Sequence, residues 1–380
     1  MMLEMFEYYG NKMKRRIFIV PFILLLVVAC ASQPRITVEA LPGYDAAFAR
    51  QSGWTGGDGA YSIALADEKI LWLFGDTWVG EVQDGRHVHA ELINNSIGIQ
   101  SGRCVSQAMI HFVYRQTDNG KASAFIRPDD RQGWLWPYHG ALDREGLFLF
   151  LVQIARLQGG PIASYAVTGN WLARIDNPED SPRHWHIDQQ KIPWSQFSVS
   201  GDTIFGSTVL KYKGFDYIFG TTEDIEDGFH HKYMIVARVP SGRLAEFSQW
   251  RFFSNGTWSA DVSKAARLCE NMANEYSVSY LESLGKYIVV YSGQGASETI
   301  SARLAPEPHG PWSEPIDLFH CPEEGWDAKI FCYAAKAHPN LASAPDELII
   351  TYVTNSNDFD LIKNDARLYR PRFIRVRLND

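Results

Sequence analysis

Helix-period apolar patterning is almost missing from this 380-residue chain after residue 40, which excludes helical bundles and α/β folds. Only Asp261 to Asn274 has spacing for a turn or two of helix. Cysteine is scarce: there are five, with no CxxC pair and no Cys/His spacing of the kind that holds zinc. No metal and no cofactor are therefore expected. After residue 29 basic runs are missing too, and the formal net charge of the full chain is −8, which argues against nucleic acid as a partner. The longest apolar run, Ile17 to Val28, is interrupted by Pro21 and falls short of the roughly 20 residues that cross a bilayer.

That run fits a leader. Met13-Lys14-Arg15-Arg16 supplies the positive segment before it, and Val27-Val28-Ala29-Cys30 follows it. A cysteine at the cleavage point resembles the lipobox of bacterial lipoproteins, in which the thiol is acylated and becomes the mature N-terminus. Residues 1–29 then form a signal peptide, and residues 30–380 form a mature domain tied to a membrane through Cys30. Ala31 and Ser32 include no inner-membrane retention aspartate, so the outer membrane of the cell envelope is the expected location. Met1 to Lys12 reads as an upstream extension of a start at Met13. Residues 1–29 carry four positive side chains (Lys12, Lys14, Arg15, Arg16) and two negative (Glu4, Glu7), so the remainder stands at −10. Four cysteines remain, Cys104, Cys269, Cys321 and Cys332. Cys321 and Cys332 could close a short disulfide loop in an oxidising compartment; buried free thiols are the alternative.

What the chain has in quantity is short β-rich runs bounded by Gly, Pro, Asn and Asp, with 13% aromatic residues and 12 Trp. The runs recur in five groups 60 to 75 residues apart. Gly59–Leu65 is followed by Ile70–Thr77, and Trp134–Leu142 by Gly146–Gln153. Ile204–Leu210 precedes Tyr217–Glu223, Tyr276–Leu281 precedes Tyr287–Gly293, and Tyr333–His338 precedes Leu348–Asn355. Five such units predict an all-β, five-bladed β-propeller forming one domain. Its ring would be closed by pairing an N-terminal strand, Arg35–Leu41, with Arg372–Leu378. Two β-sandwiches are the rival architecture.

In a propeller the first strand of each blade lines a central funnel, where function must be argued residue by residue. Asp58, inside Gly56-Gly57-Asp58-Gly59, enters the first such strand, and Asp76 ends the next one. An antiparallel hairpin brings these two positions to one mouth of the funnel. Paired carboxylates are the minimum for glycoside hydrolysis, one donating a proton and the other attacking or activating water. Turn formation by Gly-Asp-Gly and Gly-Asp-Thr is the plainer reading. Glu223 lies at the position in blade three equivalent to Asp76, Glu275 and Asn274 open the inner strand of blade four, and Asp202 precedes the third inner strand. Asn274, Lys336 and His338 are further funnel candidates, while Trp54, Trp134 and Trp136 offer stacking platforms for sugar rings.

Gly53-Trp54-Thr55-Gly56-Gly57-Asp58-Gly59-Ala60-Tyr61-Ser62 and Leu73-Phe74-Gly75-Asp76-Thr77 resemble the opening motifs of a bacterial family of five-bladed propeller lipoproteins of unknown function. Asn94-Asn95-Ser96, Gly310-Pro311-Trp312, Lys336-Ala337-His338-Pro339 and Leu368-Tyr369-Arg370-Pro371-Arg372-Phe373 extend the resemblance over nearly all of the mature chain. The family is related to endo-D-arabinanases of mycobacterial cell-wall arabinan and, more distantly, to arabinanases, invertases and levansucrases. The resemblance implies catalysis by Asp58 and Asp76, a substrate contact at Asn95, and an oligo- or polysaccharide partner that includes arabinofuranose polymers. The second blade departs from the pattern, reading Trp134-Leu135-Trp136-Pro137-Tyr138-His139-Gly140 where Trp-Pro-Gly-Asp-Gly is expected. A hydrolase acting as a monomer is the first expectation, a non-catalytic glycan-binding lipoprotein the second, and a structural envelope protein the third. For the hydrolase, Asp58→Asn and Asp76→Asn should abolish sugar release without changing the melting temperature.

Overall fold

The computed structural model describes residues 34–157, 165–226, 228–294 and 296–379. The leader and Cys30 lie outside the described residues. Among the described residues the fold is all-β, with two short α-helices, Pro42–Phe48 and Phe359–Asn364. Both are too short for a periodic apolar stripe to mark them in the sequence. The Pro42–Phe48 helix starts with proline at its first turn and docks through Phe48, whose ring stacks on Phe373 at 5.3 Å and meets Trp72 edge-on at 5.2 Å.

Among the described residues, five antiparallel sheets of four or five strands follow one another. Sheet I contains Tyr61–Ala64, Lys69–Phe74, Ser96–Ser101 and Met109–Val113. Sheet II contains Trp134–Asp143, Gly146–Arg156, Tyr165–Ile175 and Ile187–Lys191. Sheet III begins with Thr203–Tyr212, Phe215–Glu226 and Phe229–Pro240 and ends in the short strands Arg251–Ser254 and Thr257–Ser259. Sheet IV contains Tyr276–Leu281, Lys286–Ser292, Thr299–Ala305 and Ile316–His320. Sheet V contains Ile330–Ala337, Glu347–Ser356, Pro371–Asn379 and, at its edge, Arg35–Ala40, with Arg35 opposite Asn379 and Ala40 opposite Ile374. A three-stranded sheet of Ser52–Gly57, Thr77–Gln83 and Arg86–Ile93 branches from sheet I.

The second strands of sheets I and II, Lys69–Phe74 and Gly146–Arg156, are apolar almost throughout because their faces are covered by neighbouring sheets. The first strand of sheet II packs on those of sheets I and III, and the first strand of sheet IV packs on those of sheets III and V. Sheet V meets sheet I through Ser62 Oγ and His338 Nδ1 at 2.7 Å, and through a bond from Lys336 Nζ to the Gly59 carbonyl. The first strands of sheets II, III and V each carry a register shift, at Pro137/Gly140, Phe205/Thr208 and Tyr333/Lys336. Such bulges bend a strand and re-aim its side chains.

Three sequence expectations change here. Trp54 is 2% exposed rather than at a rim: it stacks on Phe112 at 4.2 Å and donates its indole N–H to Ser96 Oγ. Asn95 is 1% exposed and fully engaged, donating to the carbonyls of Ile126 and Leu135 and accepting from the Ile126 N–H, each at 2.8 Å. It ties sheet I to sheet II and has no free group for a substrate. Between Asp261 and Asn274 only Val262–Lys264 is helical, as a single 3-10 turn, because Leu268 and Cys269 exchange backbone bonds with Met234 instead. The four described cysteines are free thiols; Cys104 is exposed and Cys269, Cys321 and Cys332 are buried.

Candidate active site

Asp58 and Asp76 are joined by their backbones. The Asp58 N–H donates to the Asp76 carbonyl, and the Gly75 N–H donates to the Asp58 carbonyl, both at 3.2 Å. These bonds prolong the hairpin of Tyr61–Ala64 and Lys69–Phe74 past its regular end and force both carboxylates to one side. Gly59 and Ala60 follow with φ of +78° and +51°, a left-handed turn that an alanine adopts only under constraint. Ala334 (+58°) and Tyr369 (+61°) are strained in the same sense, so three non-glycine left-handed residues gather around Asp58.

Two tyrosines from the far end of the chain clamp this carboxylate. Tyr333 Oη and Tyr369 Oη both donate to Asp58 Oδ2, at 2.8 and 3.0 Å. Tyr369 gets there because Gly56 lets its segment come close: a Cβ on Gly56 would lie 2.7 Å from the Tyr369 carbonyl oxygen. Tyr333 stands at the register shift Tyr333/Lys336 of its strand, where its side chain reaches Asp58. Asp58 Oδ1 rests against Gly75, where an added Cβ would stand 2.3 Å away. Gly75→Ala should therefore displace the carboxylate. The expected result is a fall in turnover of about 100-fold with an unchanged circular dichroism spectrum; full activity in that variant would mean that Asp58 does not need this position.

Asp76 is held differently. Its Oδ1 accepts the Trp136 indole N–H at 2.8 Å and a long contact from Asn94 Nδ2 at 3.5 Å. Glu275 completes the cluster, its carboxylate 3.9 Å from the Lys336 ammonium and its side chain 23% exposed. All three acids keep some open surface. Burial pushes each of their pKa values up, Asp76 to about 6 and Asp58 further because Asp76 and Glu275 also repel its charge. The phenols of Tyr333 and Tyr369 pull Asp58 back down, as the Trp136 bond does Asp76. One oxygen with two hydroxyl donors is the better-solvated anion. Repulsion from Asp76 and Glu275 favours a proton on Asp58, while the two phenol bonds favour its charge, so the two aspartates titrate as a pair.

The remaining sequence candidates divide. Trp136 lines the cluster, with Trp134 edge-on to it at 6.2 Å and the exposed Tyr165 at 5.2 Å. Asn274 precedes Glu275 but is tied back, accepting from Thr221 Oγ1 and Ser207 Oγ. Glu223 contacts His230 at 3.2 Å and Lys232 at 3.8 Å, and the Lys232 charge also bears on Glu275. His338 is 1% exposed, with its two ring nitrogens on Ser62 and Thr351 at 2.7 Å each; burial holds it neutral as a joint between sheets V and I, not a substrate contact. Lys336, 2% exposed, faces inward as well. Sequence reading missed Tyr333, Tyr369, Asn94 and Tyr165. The first two sat inside segments already singled out, without any local sign of where their hydroxyls point. Among the described residues, no group of three or more His, Cys, Asp or Glu is arranged to hold a metal ion.

Residues 42–378 match the model of a family described as a domain of unknown function (DUF5005). No curated protein matches the chain in sequence. Among solved structures, the chain is similar to a "putative hydrolase" from Bacteroides ovatus, at a TM-score of 0.70 and 20% identity over 90% of each chain. Fainter likenesses are to a GH43 β-xylosidase/α-arabinofuranosidase from a compost metagenome and the catalytic domain of a GH62 α-L-arabinofuranosidase from Coprinopsis cinerea. The first has a TM-score of 0.45 and 14% identity over 91% of this chain and 94% of that one. The second has a TM-score of 0.43 and 10% identity over 87% and 92%. The first likeness is one of fold.

Proposed function

We propose that this chain, which belongs to the DUF5005 family, is a glycoside hydrolase acting on a furanose-rich bacterial or environmental polysaccharide. The observation that carries this reading is the convergence of Asp58 and Asp76 through paired backbone bonds, with Glu275 close enough to repel Asp58. Asp76 donates its proton to the leaving glycosidic oxygen as the bond to the anomeric carbon breaks. Asp58, as carboxylate, attacks that carbon or takes a proton from the water that does. One water is consumed, and each fragment leaves with a hydroxyl. Trp136, Trp134 and Tyr165 supply apolar faces for the adjoining sugar ring.

We read the five sheets as blades of one propeller, with Arg35–Ala40 closing the last blade and the domain running from residue 30 as a monomer. The leader and Cys30 support envelope localisation through a lipid anchor. In a bacterial host, Cys30→Ala should move the protein wholly from the membrane to the soluble fraction; retention on the membrane would end the anchor proposal. The second reading is a non-catalytic glycan-binding lipoprotein, favoured by the lack of a carboxylate between Trp134 and Gly140 in sheet II. Incubation with arabinan and other bacterial polysaccharides, followed by reducing-end assay, separates the two. New ends support hydrolysis; retained binding with no product on prolonged incubation supports the second reading.

A further inference from the structure

Lys336 was expected to meet substrate, yet its ammonium is sealed inside the joint between sheets V and I. It donates to the Gly59 carbonyl and, at 2.6 Å, to the Ala334 carbonyl, and it lies 4.3 Å from the centre of the Tyr61 ring. Gly59 is the residue after Asp58, and Ala334 is the residue after Tyr333. These are the two backbones whose side chains meet in the Tyr333–Asp58 bond. The same ammonium stands 3.9 Å from Glu275. Ala60 and Ala334 hold left-handed conformations that neither would keep unaided, and the Lys336 bonds fall on the carbonyls beside them.

From this geometry we infer that Lys336 is a positioning residue. One buried ammonium holds the Asp58 and Tyr333 backbones in register and sets a positive charge 3.9 Å from the Glu275 carboxylate. This rests on the hydrolase reading only for its effect on turnover. The groups facing the ammonium are Asp58 and Tyr61 from sheet I, His139 from sheet II, Glu275 from sheet IV and His338 from sheet V. Both histidines are kept neutral by burial, so the two carboxylates are its anionic partners. Burial pulls the Lys336 pKa down to about 8, while Glu275 and Asp58 hold it from falling further.

The test uses Lys336→Met in the full mature chain, a substitution that keeps length and loses the charge and the donors. Turnover should fall about 100-fold while KM stays within about twofold, since the group touches no substrate. In a Tyr333→Phe background the same change should add little, because both act on one contact. Independently of activity, carbon-13 NMR of labelled Asp and Glu side chains should show the Asp58 and Glu275 midpoints rising by about one unit, the two signals being assigned with Asp58→Asn and Glu275→Gln. If the unmodified protein cleaves no glycan but the midpoints rise, the hydrolase reading fails and the positioning role stands. Unchanged midpoints in Lys336→Met overturn the positioning role, whatever the activity. Should Lys336→Met not fold, Glu275→Gln supplies the measurement: the Lys336 midpoint must drop below its native value of about 8, and an unmoved midpoint overturns the inference.

Discussion

Asp58→Asn and Asp76→Asn should each reduce sugar release from a polysaccharide by about 10⁴-fold, and the double variant should be scarcely worse than either. The two side chains act on one bond in one step, so removing the second costs little once the first is gone. Their roles separate on a second substrate. An aryl glycoside with a good leaving group needs little proton donation, so Asp76→Asn should regain much of its rate there while Asp58→Asn stays inactive. The pH profile carries the same assignment. Activity requires one proton on the pair, so the rate should fall as pH rises and that proton is lost, and fall again in acid as the second carboxylate protonates. Polysaccharide cleavage that survives both substitutions would remove these aspartates from the chemistry.

The aspartate pair was legible in the sequence because hairpin geometry is local. Asp58 and Asp76 are 18 residues apart, and strand pairing alone brings the start of one strand to the end of the next. The strand runs were legible for a similar reason: a fully covered strand must be apolar along its length, as Phe148 to Val152 are. The partners of Asp58 were not legible. Tyr333 and Tyr369 stand 275 and 311 positions away, and nothing local distinguishes them from core tyrosines. Lys336 and His338 illustrate a second kind of failure. Plain alternation would set Tyr333 and Lys336 on opposite faces, but the bulge between them sets three residues against two, so both point to the Asp58 side, with Lys336 and His338 fully buried. Trp54 failed through packing: Phe48, Phe74 and Phe112 enclose it from three separate segments.

Sequence alone gave no reason to expect Asp58→Asn or Asp76→Asn to alter thermal stability; the raised carboxylates do. A folded-state pKa above the unfolded value means that the native protein holds more protons than the unfolded chain between about pH 4 and 6. Stability therefore falls as pH rises across that window, and the loss is complete above it. For Asp76 the rise from 3.8 to about 6 corresponds to about 3 kcal/mol at neutral pH. Asp58 and Glu275 shift in the same direction. An asparagine at position 76 can still accept the Trp136 N–H but carries no charge to desolvate. Asp76→Asn should thus melt higher than the unmodified protein at pH 8, by about 5 °C, and the gap should close at pH 4. Asp45, raised to about 6 by burial beside Phe373, leaves a residual slope of the same sign in every variant. A variant that melts lower at pH 8 would mean that the anion at position 76 is stabilised where it sits, and a proton donor of that kind could not work near neutrality. The aspartates that make cleavage feasible are, on this account, a net cost to the fold, and the bonds from Tyr333, Tyr369 and Trp136 offset only part of it.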